Sequence, residues 1–355
     1  MVLALMMFLL AQAPNPEQMF QQAVAAQQRG DDSTAIRLYQ ELVKLHPEVV
    51  EVRANLGAAL VRQGRFDEAI QQYRAALAND KSNAALRMNL AFAYYKKGSL
   101  REAVTELSAL HAADPRDLRT ATLLADCEAR LGHPDQVIAL LTPLEPAHAD
   151  DLSLEWILGA ALIQGGRLRD GLDRVDKVAR LGNSADAYLL AGRTALKLTA
   201  FERARDYADA ALRVNPRLAG VLTLRGSVLQ YLGDNAGAIE TLRKALEADP
   251  NDFEAHVNLG GILNTERELE GARKHLERAL AIQPGSTLAR YEMARLERSE
   301  GNIEAAVKDF ETVVRDDPKW AQPHIELSAL YFRLNRAEDG EKERTIFDRL
   351  NEKKP

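Results

Sequence analysis

Cysteine is all but absent: Cys127 is the single one in 355 residues. No intramolecular disulfide can form, and neither can a zinc site built on cysteines. Aromatic residues are scarce, at 6% against a hydrophobic content of 46%. A core made under that limit rests on alanine and leucine, which suits close-packed helices. Glycine and proline together fall short of the level that marks low-complexity disorder. The signatures of catalysis are missing too. There is no GxxxxGK[ST] phosphate loop, no GxGxxG after a strand, no HExxH and no GxSxG elbow. The seven histidines are His46, His111, His133, His148, His256, His275 and His324. They are scattered, whereas a metal site needs ligands converging at bonding distance. These absences point to a protein that is not an enzyme and uses no cofactor or metal. A basic excess is lacking as well. The formal net charge of −6 does not suit a nucleic-acid partner.

The chain opens with an apolar run, Val2 to Leu10, followed by Ala11-Gln12-Ala13. The run resembles the apolar region and small-residue cleavage site of an export signal. That reading makes the chain an exported bacterial protein, periplasmic or secreted. No Lys or Arg precedes the run and Pro14 follows the cleavage point. The alternative is therefore that residues 1–13 are an apolar arm packed on the first repeat unit, in a cytoplasmic protein. The run is too short for an ordinary spanning helix. Residues 14 and 15 read as a linker.

From Pro16 to residue 354 one pattern repeats. A small residue is followed seven places later by Gly and five later by Ala, as in Gly57, Gly64, Ala69 and in Gly226, Gly233, Ala238. Ten units start at Pro16, Val50, Ala84, Leu118, Leu152, Ala185, Ala219, Phe253, Thr287 and Ala321; nine have 34 residues and the one at Leu152 is a residue shorter. That period belongs to a two-helix solenoid. The eighth position is always small: Gly57, Gly159, Gly192, Gly226 and Gly260 in five units, Ala or Ser in the others. A glycine inside a helix costs about 1 kcal/mol against alanine, so its recurrence implies close helix-to-helix approach. Gly30, Gly64, Gly98, Gly132, Gly166, Gly233 and Gly301 mark the turn between paired helices, where the left-handed conformation comes cheaply to glycine. Pro47, Pro115, Pro216, Pro250, Pro284 and Pro318 close six units. Pro143 falls inside a second helix and should kink or end it. The stretch 118–184 is the least regular, read as a bend or as a specialised binding segment or hinge.

These small residues, turn glycines and closing prolines in register resemble the tetratricopeptide repeat family over residues 16–354. The resemblance implies an all-α fold, a right-handed superhelical α-solenoid of about ten helix-turn-helix repeats. It also implies a concave groove lined by positions 2, 5, 6, 9, 12 and 13 of each unit. Those spacings share one helix face. They give Asn55 and Arg62 in the second unit; Met88, Asn89, Phe92, Tyr95 and Lys96 in the third; Arg119, Asp126 and Arg130 in the fourth; and Trp156 in the fifth. The function implied is a protein–protein interaction scaffold, holding an extended peptide or partner protein. The alternative is a targeting or regulatory subunit of an enzyme or envelope assembly complex. Oligomeric state is not legible.

Two readings compete at each prominent groove residue. Asn55, Asn89 and Asn258 occupy the same position; an amide there can grip a peptide backbone or brace the neighbouring helix. Met88, Phe92 and Tyr95 can be contact residues or can fill space between helices. Arg62, Lys96, Arg130, Lys197 and Arg333 at position 13 can make a positive groove or can complement the helix dipole.

Overall fold

The structure is a computed structural model and describes residues 15–352; residues 1–13, the candidate signal or apolar arm, lie outside the described residues. Every regular element in the described residues is helical, with twenty α-helices and one 3₁₀ segment. None of those helices is long and apolar enough to cross a membrane.

The chain divides after Arg167 into two compact blocks. In the first block, first helices of successive repeats are Pro16–Gln28, Val50–Arg62, Ala84–Lys97, Leu118–Arg130 and Leu152–Gln164. Their partners are Asp32–Leu45, Phe66–Asn79, Leu100–Ala113 and Pro134–Leu141. The last of these stops two residues before Pro143 and continues as a 3₁₀ segment, Thr142–Ala147, as a proline lacking an N–H requires. The second block opens with Leu168–Gly182. Five pairs follow: Ala185–Lys197 with Phe201–Val214, Val221–Tyr231 with Asn235–Ala248, Phe253–Thr265 with Leu269–Ile282, Thr287–Glu300 with Ile303–Asp316, and Ala321–Arg333 with Ala337–Glu352. The seventh repeat starts its helix at Val221 rather than at Ala219. Gly220 there is left-handed, with the Arg193 guanidinium filling the room beside it.

Caps set where first helices begin. Asn83, Asp117, Asp151, Ser184, Asp252 and Ser286 each accept a hydrogen bond from a backbone N–H two or three residues on. Each such cap is worth about 1 kcal/mol.

Packing inside a repeat follows the eighth position. A Cβ on Gly226 would stand 2.6 Å from Cγ of Leu242, and one on Gly260 would stand 2.6 Å from Cγ of Leu276. Both leucines are fully buried, sixteen residues along on the second helix. Tyr73 lies the same way against Gly57. The second-helix alanines Ala35, Ala69, Ala103, Ala204, Ala238, Ala272 and Ala306 are all fully buried, so the helices meet on small residues from both sides. Cys127 is among the buried residues, and burial pushes its thiol up to about 11. It is a small packed side chain, not a nucleophile.

A second device was not visible in the periodicity. At position 4 of five repeats a cationic or imidazole side chain spans from the preceding inter-repeat turn to the second helix. Arg53 donates from Nε to the Pro47 carbonyl at 2.7 Å and from Nη1 to Gln72 at 2.8 Å. Arg87 joins the Lys81 carbonyl to Glu106, and Arg290 joins the Pro284 carbonyl to Asp309. His324 joins the Pro318 carbonyl to Glu343. In the eighth repeat two imidazoles meet, His256 Nδ1 and His275 Nδ1 at 3.0 Å, with His256 Nε2 3.1 Å from the Pro250 carbonyl. The carbonyl only accepts, so His256 carries its proton on Nε2 and its Nδ1 accepts from His275. Burial, then His256, Lys274 and Arg243, lowers His275 from 6.5 to about 4.

The turn position is left-handed in all ten repeats. Seven have glycine, with φ between 72° and 90°. The other three hold Thr199, Arg267 and Asn335 at φ 57°, 65° and 58°. A β-branched residue is a true outlier there.

Two outcomes are expected. Thr199→Gly should raise the free energy of unfolding by about 1 kcal/mol, read from urea midpoints; no gain would mean the turn is not strained. For His275 the folded form is neutral and the unfolded form takes up a proton near 6.5. Stability therefore falls as pH drops from 6.5 towards about 4. His275→Gln, copying the pairing at Gln72, should flatten that stretch of the stability–pH curve, and an unchanged slope would contradict the assignment.

Candidate functional site

First-helix residues, joined by Tyr39 of a second helix, line two hollows in the first block. One, of about 600 Å³, is bounded by Phe20, Gln21, Val24, Gln27, Gln28, Tyr39, Glu51, Asn55 and Arg62. The other, of about 560 Å³, is bounded by Met88, Asn89, Phe92, Arg119, Thr122, Leu123 and Asp126. All but Tyr39 fall on positions 2, 5, 6, 9, 12 or 13 of their repeats, since residues three and four apart share a helix face.

In the first hollow the polar groups are largely paired. Arg62 donates to Asp32 through Nε at 2.8 Å and Nη2 at 2.6 Å. This bond ties position 13 of one repeat to position 17 of the one before. In the sixth and seventh repeats the same two positions carry Phe201 and Tyr231, stacked with centroids 5.0 Å apart and planes 1° from parallel. Asn55 is half-buried.

The second hollow is different. Phe92 is 39% exposed and lies beside Tyr95, with centroids 6.4 Å apart. Lys96 Nζ sits 5.2 Å from the Phe92 ring centre, and the Arg130 guanidinium sits 5.2 Å from that of Tyr95. Such contacts give about 0.5–1 kcal/mol at exposed sites. The Tyr95 hydroxyl is directed at the Asp126 carboxylate, and that contact holds Tyr95 above its ordinary value of 10. Arg130 approaches Asp126 only to 4.0 Å, too far for a hydrogen bond. Asp126 Oδ2 is sheltered from solvent and has no hydrogen-bond partner among the described residues. Asn89 is exposed on the same wall.

The structure thus divides the sequence-derived residues. Met88, Asn89, Phe92, Arg119 and Asp126 share one hollow, with Tyr95, Lys96 and Arg130 at its border; Asn55 and Arg62 belong to the other. Trp156 is half-buried one repeat further on and lines neither. Asn258, the third residue of the asparagine series, donates to Ser227 at 2.6 Å and braces the adjacent first helix. Sequence reading passed over Thr122 and Leu123, although their positions, 5 and 6, satisfy the same rule. Among the described residues no group of three or more His, Cys, Asp or Glu side chains could hold a metal ion.

An all-helical stack of hairpins with an open, mixed apolar and polar face is the architecture of a binding protein. Two family profiles described as tetratricopeptide repeat match it, one over residues 60–127 and 263–322 and the other over residues 20–84 and 223–287. The chain belongs to the tetratricopeptide repeat family. No curated protein matches it. Among solved structures it is similar to the APC/C hetero-tetramer Cut9–Hcn1, at 12% identity over 96% of this chain and 88% of that one, with a TM-score of 0.58. That likeness is one of fold. MamA (residues 41 to the end) from Desulfovibrio magneticus RS-1 aligns at 23% identity over 47% of this chain and 95% of its own, with a TM-score of 0.41.

Two substitutions separate contact from packing on one helix. Leu90 is 2% exposed and Phe92 is 39% exposed. Leu90→Ala should lower the unfolding free energy by about 2–5 kcal/mol, and Phe92→Ala by less than half of that. Equal losses in urea unfolding would make Phe92 a packing residue.

Proposed function

We propose that the protein is a non-enzymatic interaction scaffold that holds an extended peptide segment of a partner protein along the first-helix face of its first block. The observation that carries this reading is the hollow between the third and fourth repeats. It combines the apolar side chains Met88, Phe92 and Leu123 with the polar ones Asn89, Arg119, Thr122 and Asp126. Asp126 Oδ2 lacks a donor among the described residues, and the Asn89 amide offers a donor and an acceptor on the neighbouring first helix. A sheltered carboxylate oxygen without a partner costs about 1–3 kcal/mol or more, and a bound backbone N–H offsets that cost. Exposed aromatics beside such a hollow are the residue types that dominate binding energy.

The chain's own sequence supports work outside the cytoplasm. Val2–Leu10 followed by Ala11-Gln12-Ala13 has the make-up of an export signal. Sequencing the amino terminus of the protein isolated from its native source tests that part of the reading.

Replacing Asn55, Asn89 and Tyr95 together by Ala should reduce capture of the native partner at least about tenfold, a change of roughly 1.4 kcal/mol, while helicity by circular dichroism stays unchanged. Undiminished capture with intact helicity would remove this face from consideration.

A further inference from the structure

The charge around the second hollow identifies the chemistry of what binds there, an inference that rests on the reading just given. The whole chain is acidic, at −6. Yet the groove positions of the third, fourth and fifth repeats carry three cations, Lys96, Arg119 and Arg130, and a single carboxylate, Asp126. Four groove cations in other repeats are paired with carboxylates, whereas Lys197 and Arg333 stand singly among the described residues at position 13 of the sixth and tenth repeats. Arg62 faces Asp32 at 2.6 Å, Arg295 faces Glu292 at 2.9 Å, Arg193 faces Glu254 at 3.5 Å, and Arg298 is paired with Glu326. Lys96 and Arg119 have no carboxylate within ion-pairing distance among the described residues. Lys96 rests on the Phe92 ring instead. Asp117, the carboxylate beside Arg119, has its oxygens on the backbone N–H groups of Arg119 and Thr120 and on the Thr120 hydroxyl.

We propose that the segment seated on the third and fourth repeats is an internal acidic one, with an aliphatic side chain flanked by aspartate or glutamate. The aliphatic group fills the floor formed by Met88, Phe92 and Leu123. The flanking carboxylates meet Arg119 and Lys96. A backbone N–H of the segment donates to Asp126 Oδ2. A lysine-rich segment is disfavoured because it would bring like charge to three cations, and clashes of that kind set specificity as much as attraction does.

The test uses the whole chain and short peptides acetylated and amidated at their ends, so that no terminal charge takes part. Each has one Leu in a Gly-Ser background, flanked on both sides by two Glu, two Gln or two Lys. Titration calorimetry should show the Glu peptide binding about tenfold or more tighter than the Lys peptide, with Gln between them. The preference should shrink as salt is raised from about 50 to about 500 mM. Arg119→Glu should remove or reverse it. If Gln or Lys binds as well as Glu while Phe92→Ala still abolishes binding, the charge inference falls and the groove reading stands. If no peptide binds, or binding ignores Phe92→Ala, both fall. Circular dichroism of each variant confirms that the helices are intact.

Discussion

At the eighth position of a repeat, a small residue lets the second helix press a large side chain against the first helix's backbone. Leu242 on Gly226 and Leu276 on Gly260 are the tightest instances. The constraint is geometric before it is energetic. A methyl group at either glycine would need a buried leucine to move, although alanine is the better helix former by about 1 kcal/mol. Once the helices are drawn together, the rest of the repeat follows. The second-helix alanines close the interface from the other side, and the turn between the helices is forced into the left-handed region. The first-helix stripe at the groove positions is left partly open at Asn89 and Phe92 but is buried at Leu224, Val257 and Tyr291.

The use of that stripe differs from repeat to repeat. Asn258 is turned to bracing by Ser227, within bonding reach on the neighbouring first helix. Asn89, at the equivalent position, faces a hollow. Arg62 is held by Asp32, while Arg119 is left facing the hollow. A regular scaffold therefore presents an irregular surface, in which equivalent side chains brace the array in some repeats and face open space in others.

The parts legible in the sequence are those that each repeat states for itself. Small residues, turn glycines and Pro143 could be read from spacing, because helix geometry converts spacing directly into faces and ends. The groove positions came instead from the family resemblance, which marked Met88, Asn89, Phe92, Arg119 and Asp126, the residues that line one hollow. Three things were not legible. Thr199, Arg267 and Asn335 adopt the turn conformation without its usual residue, because the paired helices impose it. The span from position 4 to the second helix, as in Arg87 with Glu106, joins residues nineteen apart through a turn carbonyl that no composition pattern marks. The choice between bracing and binding at an asparagine depends on the neighbour in space. Ser227 lies thirty-one residues before Asn258, one repeat away and outside any local window.

The joint between position 13 of one repeat and position 17 of the one before is made in two chemistries. Arg62 with Asp32 is an ion pair, which dissolved ions weaken. Tyr231 with Phe201 is a face-to-face aromatic contact, which they do not. A brackish medium would therefore slacken the seam between the first two repeats while leaving that between the sixth and seventh taut, giving a uniform fold a local sensitivity to its surroundings.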